Sequence, residues 1–269
     1  MAGIAPHGGI VIEELCAPDQ LQLAAKTRAA MEELRRRFAA ASPQVVVVMT
    51  PHSVHVGQSF AVVTSAKVAG EVDEEGRKVS LECRVDRELA VGVLSALNEV
   101  GVPTLPVSFG GNDPDAAVFP LDWGALIPLW FLGGRFNPPL PVVIVSPCRE
   151  LQPADHVRAG SAIARACEES GKQVALVASA DHGHAHREDG PYGFDPAAKE
   201  YDDMVVDAIK RNALGDLEFV DPGLVERAKA DSWWQLLMLH GALGSGWSSQ
   251  LLSYECPTYF GMVVAVVWA

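Results

Sequence analysis

Apolar residues along this chain fall into two alternating patterns. Short continuous apolar runs, Val45 to Thr50, Pro141 to Ser146 and residues 173–179, read as strands buried on both faces. Between them, apolar positions recur every three or four residues over 19–41, behind Pro18 and a capping Asp19, which predicts an amphipathic helix. The same period predicts helices over Arg87 to Val100, 153–170, Pro196 to Arg211 and Ser232 to Leu243, with a short helix from Asp221-Pro222. Trp123 to Leu132 is apolar enough for a buried helix, and Phe60 to Ser65, Val102 to Ser108 and Gly261 to Trp268 predict further strands. Gly70 to Lys78 reads as a charged hairpin or surface loop, and the Gly110-Gly111-Asn112-Asp113-Pro114-Asp115 cluster as a loop. The alternation predicts an α/β fold: a single domain over 1–269 whose central, mostly buried β-sheet is flanked by helices on both sides.

Composition supports this and narrows the function. Of 269 residues, 49% are hydrophobic and 20% charged, enough apolar material for a large core and against disorder. The net charge of −13, with Arg35-Arg36-Arg37 as an isolated basic run, opposes nucleic-acid binding. No apolar run reaches the roughly 20 residues of a membrane-spanning helix, so no membrane partner is expected, and no secretory signal is visible. Five widely spaced cysteines without a CxxC pair predict reduced thiols and a cytoplasmic location. Motifs for a serine nucleophile elbow, a phosphate-binding loop or an HExxH zinc site are absent.

Histidine placement carries the chemistry. His182, His184 and His186 crowd the loop that follows the run ending at Ser179, and the carboxyl ends of strands are where an α/β sheet binds ligands. His7 follows Gly3-Ile4-Ala5-Pro6, and His52 follows the 45–50 strand, with His55 its competitor. His7 and His52 are candidate metal ligands, because neutral imidazole is the commonest one, although a loop histidine that satisfies backbone is an equal reading of either alone. Two histidines and a carboxylate with open positions describe non-haem Fe(II) oxygenases. The carboxylate candidates are Asp231, Glu226, Glu255, Glu13 and Glu14, and Asp231 is equally a helix N-cap. His156 and His240, inside helical runs, are expected to pack or face solvent.

Taken in order, several motifs resemble one family: Pro6-His7-Gly8, Thr50-Pro51-His52-Ser53, Asp122-Trp123-Gly124-Ala125-Leu126-Ile127-Pro128-Leu129, Ser179-Ala180-Asp181-His182-Gly183-His184, and the Trp234 to Leu243 helix. Across essentially the whole chain this is similar to the class III extradiol ring-cleaving dioxygenases, the superfamily of protocatechuate, homoprotocatechuate and DOPA dioxygenases that also contains the Memo-like proteins. The resemblance implies Fe(II) held by His7, His52 and a carboxylate, with O2 as co-substrate and a small catechol or 2-aminophenol type aromatic as substrate. Asp231 is the nearest acid where the family usually has a glutamate. His184, in a Ser-x-Asp-x-x-His segment, is implied as the proton-transfer residue, with His182 its competitor and Asp181 orienting it. Trp123 stands where family members often carry a second active-site histidine.

Further expectations follow. Trp123 is expected to shape the pocket, Tyr192 and the Tyr254 to Tyr259 segment either to line it as hydrogen-bond donors or to pack as ordinary loops, the reading favoured for Tyr254 and Tyr259, and His186 with Arg187 to meet a substrate carboxylate or remain solvated. A homo-oligomer is expected from the family and from apolar residues such as Trp247 and Trp268. Two rival classes are a Zn-dependent hydrolase at the same residues and a Memo-like metal-binding protein without oxygenase activity, the latter suggested by Trp123.

Overall fold

Runs such as Val45-Val46-Val47-Val48-Met49 have no polar face to offer water and form stable structure only when covered on both sides. The computed structural model, which describes residues 1–110, 113–244 and 246–268, places them at the centre of a sheet. In chain order the elements are β1 (Ala2–Ala5), α1 (Ala25–Ala41), β2 (Val45–Met49), β3 (Phe60–Val63), β4 (Lys67–Glu74), β5 (Arg77–Arg84) and α2 (Arg87–Glu99). They continue with β6 (Thr104–Val107), β7 (Val118–Pro120), α3 (Trp123–Phe131), β8 (Val142–Ser146), α4 (Pro153–Glu169) and β9 (Val174–Ser179). The last are α5 (Ala197–Lys210), α6 (Pro222–Ala228), α7 (Trp233–Leu243), β10 (Ser248–Glu255) and β11 (Met262–Trp268).

Among the described residues eight strands form one sheet in the order β10-β11-β1-β9-β2-β8-β3-β6. The four central strands β1, β9, β2 and β8 run parallel, while β11 and β3 join them antiparallel. Pairing of Ala5 with Ser179, and of Met49 with both Ala178 and Val145, sets the carboxyl ends of these four strands level. Helices α1 and α3 pack together as one group, and α2, α4 and α7 as another, so that the single α/β domain has its sheet flanked by helices. No described helix is long and apolar enough to cross a membrane.

Most predicted elements are present, and the differences have local causes. The first helix begins at Ala25, not residue 19, because Leu23 N bonds to Gln20 O and the side chain of Gln20 accepts from Ala17 N, closing turns ahead of it. Asp19 is therefore no cap. A carboxylate from elsewhere serves the α1 amino end instead: Glu255 Oε2 accepts from Thr27 N and Oγ1, both at 2.7 Å, where the helix dipole favours negative charge. The charged stretch 70–78 is the tip of a longer hairpin, β4 and β5, whose turn residues Glu75 and Gly76 take φ values of 53° and 86° as a tight two-residue turn requires. This hairpin and β7 form a separate three-stranded sheet. Gly111 and Asn112 of the predicted 110–115 loop lie outside the described residues.

The α4–α7 crossing bears on the site, since α7 begins two residues after Asp231. A Cβ on Gly160 would sit 1.8 Å from Met238 O, and one on Gly241 1.9 Å from Val157 O, so each helix needs a glycine to admit the other's backbone. Gly160→Ala is accordingly expected to destabilise the protein by about 1–3 kcal/mol in urea denaturation, since neither backbone oxygen can move aside cheaply. Gly92→Ala, in α2, meets nothing within 4 Å and is expected to leave stability unchanged or raise it by up to about 1 kcal/mol.

Candidate metal centre

Three side chains converge above the level carboxyl ends of β1 and β2. His7, two residues past β1, and His52, three past β2, bring their Nε2 atoms to 3.1 Å from each other. Asp231, just before α7, places Oδ2 at 3.2 Å from His7 Nε2 and 3.0 Å from His52 Nε2. Two imidazole nitrogens and one carboxylate oxygen this close together are a donor set suited to a single divalent cation.

Neighbouring groups prepare these atoms for that task. Ser179 Oγ donates its one proton to the Gly124 carbonyl and accepts His7 Nδ1–H at 2.9 Å. That proton on Nδ1 leaves the Nε2 lone pair of His7 turned toward His52 and Asp231, the tautomer a metal needs. Asp181, buried, accepts the backbone N–H of His7 at Oδ1 (3.1 Å) and lies 3.4 Å from its ring at Oδ2. Burial disfavours a cationic His7, yet Asp181 and Asp231 outweigh it and push the imidazole above its ordinary value. Burial also opposes ionisation of Asp231, but His52 and His7 overcome it and hold the carboxyl far below the usual range. The pocket thus stabilises positive charge at the convergence point.

The third side is closed by residues from β8 and α7. Arg149, three residues past β8, donates to Asp231 Oδ1 and rests 4.5 Å over the Trp234 ring, leaving Oδ2 to the histidines. Gln235 Nε2 donates to both Asp231 O (2.7 Å) and Ser179 O (2.9 Å), tying the Asp231 loop to the end of β9. Ser232, not Asp231, occupies the N-cap of α7, so the aspartate is free to face the histidines. Gly124 makes room for His52: a Cβ there would stand 2.8 Å from the His52 ring.

The triad opens into a cleft of about 1150 Å³, which His184, Trp123, Tyr192, Tyr259, Phe260 and Arg149 also line. His184 donates Nδ1–H to the His182 carbonyl (2.8 Å), which leaves its Nε2 as a lone-pair base, and its ring stacks on Phe260 at 5.2 Å. Trp123, half exposed, lies against the His52 ring at 4.5 Å. The tip of the β4–β5 hairpin, Glu74, Glu75 and Arg77, forms the outer rim.

Other sequence candidates sit elsewhere. His182 is fully buried with Nδ1 against Ser232 Oγ (2.8 Å) and does not line the cleft, and burial drives its imidazole down to about 4. His186, expected to meet a substrate carboxylate, is instead committed to the buried carboxylate of Asp202 at 2.8 Å. Asp181 holds His7 through a hydrogen bond from its backbone N–H and reaches His184 only through its charge. His55 is an exposed partner of Glu150, Glu255 serves α1, and Glu226 lines the cleft apart from the triad. Tyr254 belongs to the Asp202 cluster and does not line the cleft. Arg149 was not anticipated, although its place just beyond the strand ending at Ser146 follows the same strand-end rule as the histidines.

Two measurements test this arrangement. Ser179→Ala frees His7 to adopt the other tautomer and is expected to weaken divalent-metal binding about 10–100-fold in competition with a chromophoric chelator. His186 is pushed up to about 9 by the hydrogen bond to Asp202 and then by Cys256, so it binds its proton more tightly folded than unfolded. The stability this adds is complete below the unfolded value of 6.5 and is lost as pH rises through about 9. The urea midpoint is expected to fall over that window, and His186→Gln to flatten the fall.

Comparison with known proteins agrees with the resemblance seen in the motifs. Protein CA_C1420 of Clostridium acetobutylicum is 25% identical over 258 residues, covering 94% of this chain but 54% of its own length, so the chain spans about half of that relative. The crystal structure of uncharacterized protein JW3007 from Escherichia coli K12 shares the fold, with a TM-score of 0.62 at 18% identity over 98% of each chain. A family model described as the catalytic LigB subunit of aromatic ring-opening dioxygenase matches residues 2–265, and the chain belongs to that family.

Proposed function

We propose that this protein is a non-haem Fe(II)-dependent extradiol dioxygenase that opens the ring of a catechol or 2-aminophenol type compound, with both atoms of O2 entering the product. One observation carries the reading: a histidine with an unengaged basic nitrogen, His184, shares an aromatic-walled cleft with a two-histidine, one-carboxylate triad. His7, His52 and Asp231 would hold the iron, which when bound brings diol and dioxygen together and conducts electrons between them. A hydrolase would need no such aromatic walls, and a protein that only stores metal would need no base beside it.

The chain's own residues divide the remaining work. His184 Nε2 takes the proton of a substrate hydroxyl and returns it to the oxygen that leaves, the general-base then general-acid sequence suited to an imidazole. Its stack on Phe260 and the bond to the His182 carbonyl hold the ring in place. Trp123, lying along His52, gives a flat apolar wall to one side of the substrate ring, where a histidine would have offered a second titratable group. Tyr192 and Tyr259, whose rings lie 5.8 and 5.9 Å from His184, supply phenolic donors at the opposite wall. Asp181 keeps His7 in place, and Arg149 keeps Asp231 presenting one oxygen.

Oxygen uptake by anaerobically Fe(II)-loaded protein, measured against a panel of catechols and 2-aminophenols, is expected to give a coloured ring-fission product. His52→Ala is expected to abolish uptake with loss of metal, and His184→Ala to lower kcat about 10²–10⁴-fold with metal retained. Metal binding through His7 and His52 without uptake on any ring would sink the proposal and leave a hydrolase or a metal-binding protein.

A further inference from the structure

Asp202, on α5, is fully buried and not part of the triad, and its carboxylate accepts from three donors. Oδ1 accepts Gly183 N at 2.7 Å, and Oδ2 accepts His186 Nε2 and the Tyr254 hydroxyl, both at 2.8 Å. Gly183 and His186 are the residue just before His184 and the second one after it, so a single carboxylate grips the His184 loop on both flanks. The packing around it leaves no slack. A Cβ on Gly261 would fall 2.0 Å from Asp202 Oδ2, and one on Gly183 2.8 Å from the Ala198 backbone, so loop and carboxylate meet at backbone distance. Gly261 also exchanges backbone bonds with the loop, donating to Gly183 O (3.0 Å) and accepting from His182 N (2.9 Å).

Burying a carboxylate against an imidazole is costly, and apolar contacts could hold a loop as firmly. What hydrogen bonds to a shared anion add is direction, fixing the loop backbone and hence the plane of the ring between them. Sequence position alone would allow His186 to join His7, His52 and His184 in the cleft, but it is bonded to Asp202 and does not line the cleft, whereas His184 does.

We propose that Asp202 is a positioning residue for His184, acting through Gly183 and His186 to aim Nε2 at the reacting end of the cleft. The inference rests on the proton-transfer role proposed above for His184.

The test compares Asp202→Asn and His186→Ala, each alone and combined with His184→Ala, in the full-length metal-loaded protein. Asp202→Asn keeps an acceptor for Gly183 but sets an amide group against the donors of His186, whereas His186→Ala leaves the carboxylate its other two donors. Each is expected to lower kcat on the order of 10²-fold with KM little changed, the scale of a catalytic group held out of line. In the His184→Ala background neither should lower kcat further, because residues that act through one group are not additive. An equal loss in that background, or wild-type kcat in a folded single variant, overturns the inference. If Asp202→Asn does not fold, His186→Ala decides alone.

A separate readout keeps the two proposals apart. The His184 ring proton resonance, assigned by its disappearance in His184→Ala, is expected to shift or broaden in His186→Ala. Should the wild-type protein turn over no aromatic diol, the functional reading fails, and this resonance then decides: a changed signal upholds the positioning role, and an unchanged one overturns it.

Discussion

Parallel strands can be joined only by crossing over the sheet, so each carboxyl end must release its chain into a loop on the same rim. In this protein the register of β1, β9, β2 and β8 makes that rim level, and everything chemical hangs from it. His7, Asp181, His52 and Arg149 each follow one of the four strands within three residues. Their side chains meet because backbone pairing, set by buried valines and alanines, has already fixed where they start. Of the metal triad, Asp231 alone comes from elsewhere, and Gln235 bonds it back to the end of β9.

The second constraint is charge. Two buried carboxylates, Asp181 and Asp231, face two imidazoles, and the resulting field favours a cation where the three donor atoms converge. Arg149 tempers that field from the far side of Asp231 without joining the triad. Titratable groups so strongly shifted by one another, grouped in a cleft, are the usual mark of a functional site.

Much of this was legible in the chain. The valine runs gave away the central strands, since five apolar residues in a row leave only a doubly covered strand or a buried helix, and the flanking breaks are too close for a helix. His7, His52 and Asp231 could be named because strand ends and motif order mark them. Other features were hidden for physical reasons. β10 mixes Ser248, Ser249, Gln250 and Ser253 with its apolar residues and is half buried at a sheet edge, so it carries no clean alternation. The three loop histidines are indistinguishable by spacing: what separates them is Ser232, fifty residues after His182, and the Asp202 carboxylate, sixteen residues after His186. Arg149 bonds a residue 82 positions away, a distance no local pattern encodes.

The rim of the cleft has a different status from its floor. Glu74, Glu75 and Arg77 belong to a hairpin of a sheet separate from the central one, whose turn constrains chiefly residues 75 and 76, both at positive φ. Substitutions of the exposed side chains at this tip leave the valine core and the register of the central sheet untouched. The outer wall of the cleft can therefore be reshaped separately from the sheet that carries the triad.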